Sequence, residues 1–171
     1  MGVSKKIFAV ICIVFLAGAL AGSTLAQDRG EVSSTYKGKK VSINYGQPEL
    51  KGRDMLGKAT TGMVWRFGMN QATTLTTEAA LKFGSVEVPA GSYSLFAKKT
   101  DAGWDLIISK ATGGWGTNRD ESLDLPGVAF KVGNNASPVE KFTIELHGEG
   151  GSGEMKAMWG DTALSIGFEV H

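Results

Sequence analysis

The run Leu164-Ser165-Ile166-Gly167-Phe168-Glu169-Val170 alternates apolar residues with small or polar ones at every step. Successive side chains of a β-strand point to opposite faces, so a strict two-residue period describes a strand with one buried and one wet face. Phe142, Ile144 and Leu146 repeat the pattern against Thr143, Glu145 and His147, and Val41, Ile43 and Tyr45 repeat it against Ser42 and Asn44. Shorter versions occur at Leu81/Phe83, Val86/Val88, Tyr93/Leu95/Ala97, Trp104/Leu106/Ile108 and Val128/Phe130/Val132.

Turn residues punctuate these runs. Pro89-Ala90-Gly91 and Asp101-Ala102-Gly103 each join two of them, and Gly148 to Gly153 reads as a hairpin tip. The one helix-like stretch, Thr77 to Lys82, resembles a capped first turn. Isolated helices below ~12 residues are marginal, so it reads as strand or loop. The expectation is an all-β domain of eight or nine antiparallel strands. A jelly-roll-like β-sandwich is the first choice and a closed β-barrel the second.

The N-terminus carries the parts of an export signal in order. Lys5 and Lys6 precede an apolar run from Ile7 to Leu20, and Thr24-Leu25-Ala26 offers a small-x-small cleavage site before Gln27. The run is shorter than the roughly 18–20 apolar residues that span a bilayer, which favours a cleaved leader over an anchor. The expected division is residues 1–26 as signal peptide and 27–171 as a single domain, exported to the periplasm or beyond. The only cysteine, Cys12, leaves with the leader. So do two of the eighteen basic residues, so the remaining chain has sixteen against seventeen acidic ones. That balance gives no footprint for nucleic acid or a polybasic membrane contact. A chain of this size can bury roughly two-thirds of its unfolded surface, enough for one core without disulfides.

One stretch does not read as plain scaffold. Gln47 to Gly57 is a charged loop of about ten residues holding Lys51 and Arg53, a length that often signals function. Met63 to Thr73 then alternates, with Met63, Trp65, Phe67 and Met69 expected in the core and Val64, Arg66, Gly68 and Asn70 on the other face. Glycine within a strand leaves a dent where a ligand can approach. A guanidinium and an amide flanking that dent suit a carboxylate, phosphate or sugar hydroxyl. In the competing reading, commoner for a strand-borne arginine, Arg66 pairs with a neighbouring Glu and Asn70 closes a turn.

Three motifs coincide here: Pro48 followed by Lys51-Gly52-Arg53, Val64-Trp65-Arg66-Phe67-Gly68-Met69-Asn70-Gln71-Ala72-Thr73, and Pro89-Ala90-Gly91-Ser92-Tyr93-Ser94-Leu95. With the Trp115-Gly116 pair, they resemble the bacterial exported family DUF2911, a domain of unknown function, over about Val41 to Val170. The resemblance implies an exported domain and brings no reaction with it. Many relatives carry an acidic residue where Gln71 stands and Pro-Tyr where Thr61-Gly62 stands, so neither a general acid nor a tyrosine role is carried over.

Other chemistries find little material. His147 falls on a wet strand face and His171 is the last residue, so no zinc or copper site and no cofactor is expected. Asn118, Asp120, Glu121 and Asp124 offer oxygens for calcium, but their spacing fits a solvated acidic turn better. No Gly-x-Ser-x-Gly elbow is present. Trp104 reads as core, while Trp115, beside glycines, either stacks on a ligand ring or plugs the end of the sandwich. The leading expectation is a non-enzymatic envelope module binding a small molecule, glycan or protein partner through Lys51, Arg53, Arg66, Asn70 and Trp115. The alternatives are an enzyme acting on an anionic or hydroxylated substrate at the same place, and a structural subunit of an envelope assembly.

Overall fold

The computed structural model describes residues 28–171, so the leader reading of residues 1–26 lies outside the described residues. The chain forms β1 (Arg29–Tyr36), β2 (Lys39–Gly46), β3 (Val64–Trp65), β4 (Thr73–Thr77), β5 (Leu81–Phe83) and β6 (Val86–Val88). It continues as β7 (Gly91–Thr100), β8 (Gly103–Ser109), β9 (Val128–Ala129), β10 (Lys131–Glu149) and β11 (Ser152–Val170). One sheet runs β1-β2-β4-β7-β8-β9 with β3 also paired to β7, and the other runs β10-β11-β5-β6. All pairings are antiparallel. The two sheets pack as a sandwich, and no barrel closes. Among the described residues no helix is long and apolar enough to cross a membrane.

The period-two runs fold as read. Val41, Ile43 and Tyr45 of β2, and Leu164, Ile166, Phe168 and Val170 of β11, are all buried. Thr77 to Lys82 contains no helix: it is the end of β4, a bend and the start of β5. The run Val128/Phe130/Val132 differs, because β9 and β10 belong to different sheets and the chain changes sheet at Phe130. Phe130 is buried while Val132 is exposed.

Buried tyrosines need a partner for the hydroxyl, and here it ties the sheets together. Tyr45 on β2 accepts from the Ile144 amide at 3.0 Å and donates to the Ile144 carbonyl at 3.4 Å. Tyr36 on β1 donates to the His147 carbonyl at 2.9 Å. Between the sheets Phe142 meets Tyr45, Trp65 and Phe67 edge-on, with ring centroids 4.9–5.6 Å apart. Trp159 lies nearly parallel to Trp65 at 5.5 Å. Trp65 and Phe67 of this cluster belong to the first of two largely irregular segments, Gln47 to Ala72 and Lys110 to Gly127.

Candidate functional site

The first segment is fastened before it is free. Leu50 donates its amide to the Glu140 carbonyl at 2.9 Å, and the Phe142 amide donates to the Pro48 carbonyl at 2.9 Å. These bonds fall where the β10–β11 register is irregular, between Val139 and Thr143. Beyond Leu50 the backbone turns, with Lys51 at φ 49° and Gly52 at φ 74°. Asp54 caps the next turn through the Gly57 amide at 2.8 Å, and Leu56 is buried beneath it.

The expected strand alternation from Met63 to Met69 is corrected by the backbone. Pairing with β7 ends at Trp65, and then Phe67 (φ 51°), Gly68 (φ 154°) and Asn70 (φ 61°) all take positive φ. Positive φ at a bulky residue such as Phe67 is strained and requires compensation. Phe67 is fully buried, its ring against Phe130 and Phe142, and its carbonyl accepts from the Thr73 hydroxyl at 2.6 Å. Glycine is needed at 68, since a Cβ there would lie 2.9 Å from Thr73 Oγ1 and 3.0 Å from the Gly46 carbonyl. Met63, expected in the core, is 37% exposed, and Met55 is 45% exposed.

Arg29 holds the far end of this segment. Its guanidinium donates to Asn44 Oδ1 at 2.7 Å and to the Gln71 and Ala72 carbonyls at 3.3–3.4 Å. Burial lowers its pKa from the usual arginine value. The Trp115 loop is fixed to the same stretch: Ala72 donates its amide to the Gly114 carbonyl at 3.2 Å, and Gly116 donates to the Asn70 carbonyl at 2.9 Å. Gly116 packs so closely that an added Cβ would sit 2.9 Å from Arg66 Cδ.

Two adjoining clefts result. One, of about 350 Å³, is lined by Arg53, Arg66 and Asn70 as its polar groups. Leu56, Met63, Trp65 and Trp159 are among its apolar walls, and no carboxylate lines it. Arg53 Nε donates to the Leu50 carbonyl at 3.2 Å, which aims the exposed side chain. Arg66 makes no hydrogen bond or ion pair among the described residues, so the expected alternative of pairing with a neighbouring Glu is not what forms. The second cleft, of about 460 Å³, shares Met55, Met63, Trp65 and Arg66 with the first and adds Val64, Phe96, Gly116, Thr117, Arg119 and Glu121.

Arg119, which the sequence reading passed over, pairs with Glu121 at 2.8 Å and with Asp124, and its guanidinium lies over the Phe96 ring at 5.7 Å. Asp120 accepts from the Ser122 hydroxyl at 2.7 Å and amide at 3.0 Å. The carboxylates weighed for calcium thus have internal partners, and no cluster of metal-ligating side chains occurs among the described residues. Of the sequence candidates, Arg53, Arg66 and Asn70 share one cleft. Lys51 does not line that cleft; it lies in a neighbouring hollow that Arg53 also lines, with Asp28 and Glu49, and it pairs with Glu49 at 3.7 Å. Trp115 is 47% exposed and lines neither cleft, though its bridge to Gln71 and the Gly116 contact fix it beside them. The exposure of Met55 and Met63 and the pairing of Arg119 depend on chain reversals that no local pattern announces.

A family model described as a protein of unknown function (DUF2911) matches residues 27–168. The chain belongs to the DUF2911 family. That match spans both sheets and both irregular segments, so the clefts lie within the family domain. No curated protein and no solved structure matches the chain.

Proposed function

We propose that this DUF2911 protein is exported after loss of residues 1–26 and acts as a binding module for a small anionic molecule. The anion is held between Arg53 and Arg66, with Asn70 as a further hydrogen-bond donor. The observation that carries this reading is the polar lining of the smaller cleft, two guanidinium groups and an amide with no carboxylate in its walls. A guanidinium left without an anionic partner in a concave, largely apolar site is suited to a carboxylate or phosphate, which gains charge-assisted hydrogen bonds there. Strained backbone supports the same place, because residues held in sparsely populated φ/ψ regions cluster at ligand clamps. The export part of the proposal rests on the leader sequence alone.

The test is a calorimetric titration of the mature domain with hexanoate and, separately, with hexylamine. Hexanoate is expected to bind and hexylamine not, with hexanoate affinity falling at least about tenfold in Arg66→Ala, since hydrogen bonds to charged groups are worth about 1.5–3 kcal/mol. Equal affinity for acid and amine, or binding indifferent to Arg66→Ala, would overturn the proposal.

A further inference from the structure

The two clefts differ in what their charges are free to do. In the larger one Arg119 is already matched by Glu121 and Asp124 and is laid over Phe96. Apart from that paired Arg119–Glu121 edge, Thr117, Gly116 and the shared Arg66, its lining is Met55, Met63, Val64, Trp65 and Phe96, an apolar surface. In the smaller one Arg53 and Arg66 face no carboxylate. Arg66, Trp65, Met55 and Met63 belong to both walls, so the unmatched charge sits at the seam and the apolar surface continues past it. Exposed methionines are costly to leave in water and adaptable in what they pack against, which makes them common at surfaces that receive varied apolar ligands.

We infer that the ligand is an elongated amphipathic anion: its charged head lies at Arg53 and Arg66, and its apolar body crosses Met55 and Met63 into the Val64–Phe96 cleft. This rests on the anion-binding reading above and adds the substrate class, a carboxylate with an extended alkyl or aryl tail. Because the tail surface is built from methionine, valine and aromatic side chains, with Thr117 and the Arg119-paired Glu121 as polar groups at its edge, selectivity is set by length and charge. Fine structure of the tail matters less.

The probes are butyrate, hexanoate and decanoate, titrated into the mature domain. A buried methylene contributes about 0.8 kcal/mol, so affinity is expected to rise roughly 200-fold from hexanoate to decanoate. In Thr117→Trp, which fills the larger cleft from an exposed loop position, that ratio is expected to collapse toward one. Nuclear Overhauser contacts from the decanoate terminal methyl group to Val64 and Phe96 give a reading that needs no variant. Hexanoate binding with no gain at decanoate, or tail contacts confined to Leu56 and Trp159, would overturn the inference while leaving the anion site intact. Failure of all three acids to bind would overturn the site itself, and the inference with it.

Discussion

The β10–β11 hairpin and the segment from Gln47 to Ala72 spend their backbone hydrogen bonds in opposite ways. Along the hairpin, carbonyls and amides pair across the ladder, Ile144 opposite Ala157 and Leu146 opposite Met155, so side chains alternate and the inward set builds the core. In the other segment the pairing stops at Trp65, and side chains and distant carbonyls take over: Thr73 on Phe67, Arg29 on Gln71 and Ala72, Gly116 on Asn70. A ladder forces a period and leaves nothing over. A segment anchored point by point can hold a ring in the core, a guanidinium at the surface and two methionines in water within ten or so residues. The first arrangement supplies stability, and the second lines the clefts proposed above as a binding site.

Substitutions on the two sides of that division separate the roles. Phe142→Ala removes the ring on which Tyr45, Trp65 and Phe67 converge, and is expected to cost about 3–5 kcal/mol in denaturant unfolding. A loss under about 1 kcal/mol would mean the aromatic cluster does not carry the fold. Gly68→Ala forces a side chain into positive φ against Thr73 and Gly46, and about 1–3 kcal/mol should be lost, measured the same way. Arg66→Ala should shift stability by no more than about 0.5 kcal/mol, because the side chain has no hydrogen-bond or ion-pair partner among the described residues. A larger destabilisation would make Arg66 scaffold.

The smallest effect is expected at the turn beside the larger cleft. Hydrogen bonds from the Ser122 side chain, then from its backbone amide, hold the Asp120 carboxyl below its ordinary range. A depressed folded pKa stabilises the turn at pH values above the unfolded value of about 3.9. That contribution is lost as pH falls through the folded pKa. Exchange of the Ser122 amide should therefore quicken only in acid, and Asp120→Asn should remove the pH dependence; a transition near neutrality would contradict it.

Much of the fold was legible because ladders write themselves into sequence as period two: β2, β7, β8 and the last third of β11 were all readable. The first half of β11 was not. Met155, Ala157 and Trp159 are buried on odd positions, whereas Leu164 to Val170 are buried on even ones, and the irregularity around Gly160 (φ 60°) changes the parity between them. Arg53, Arg66 and Asn70 were legible as candidates from charge and glycine spacing. The face assignment around them held at Phe67, which is buried, but failed at Met63, which is exposed, and at Gly68, which is buried, since three positive φ values within four residues scramble any alternation. Arg119 was hidden by its own neighbours, read as a solvated acidic turn when Glu121 and Asp124 serve to neutralise that arginine.

The central claim is that Arg66, left unmatched by the fold, is matched by a ligand. Native mass spectrometry of the protein purified from its own host, compared with Arg66→Ala purified alongside it, tests this most directly. The account predicts a small amphipathic acid released from the wild type and depleted in the variant. The same released molecules in the same amounts from both proteins would contradict it.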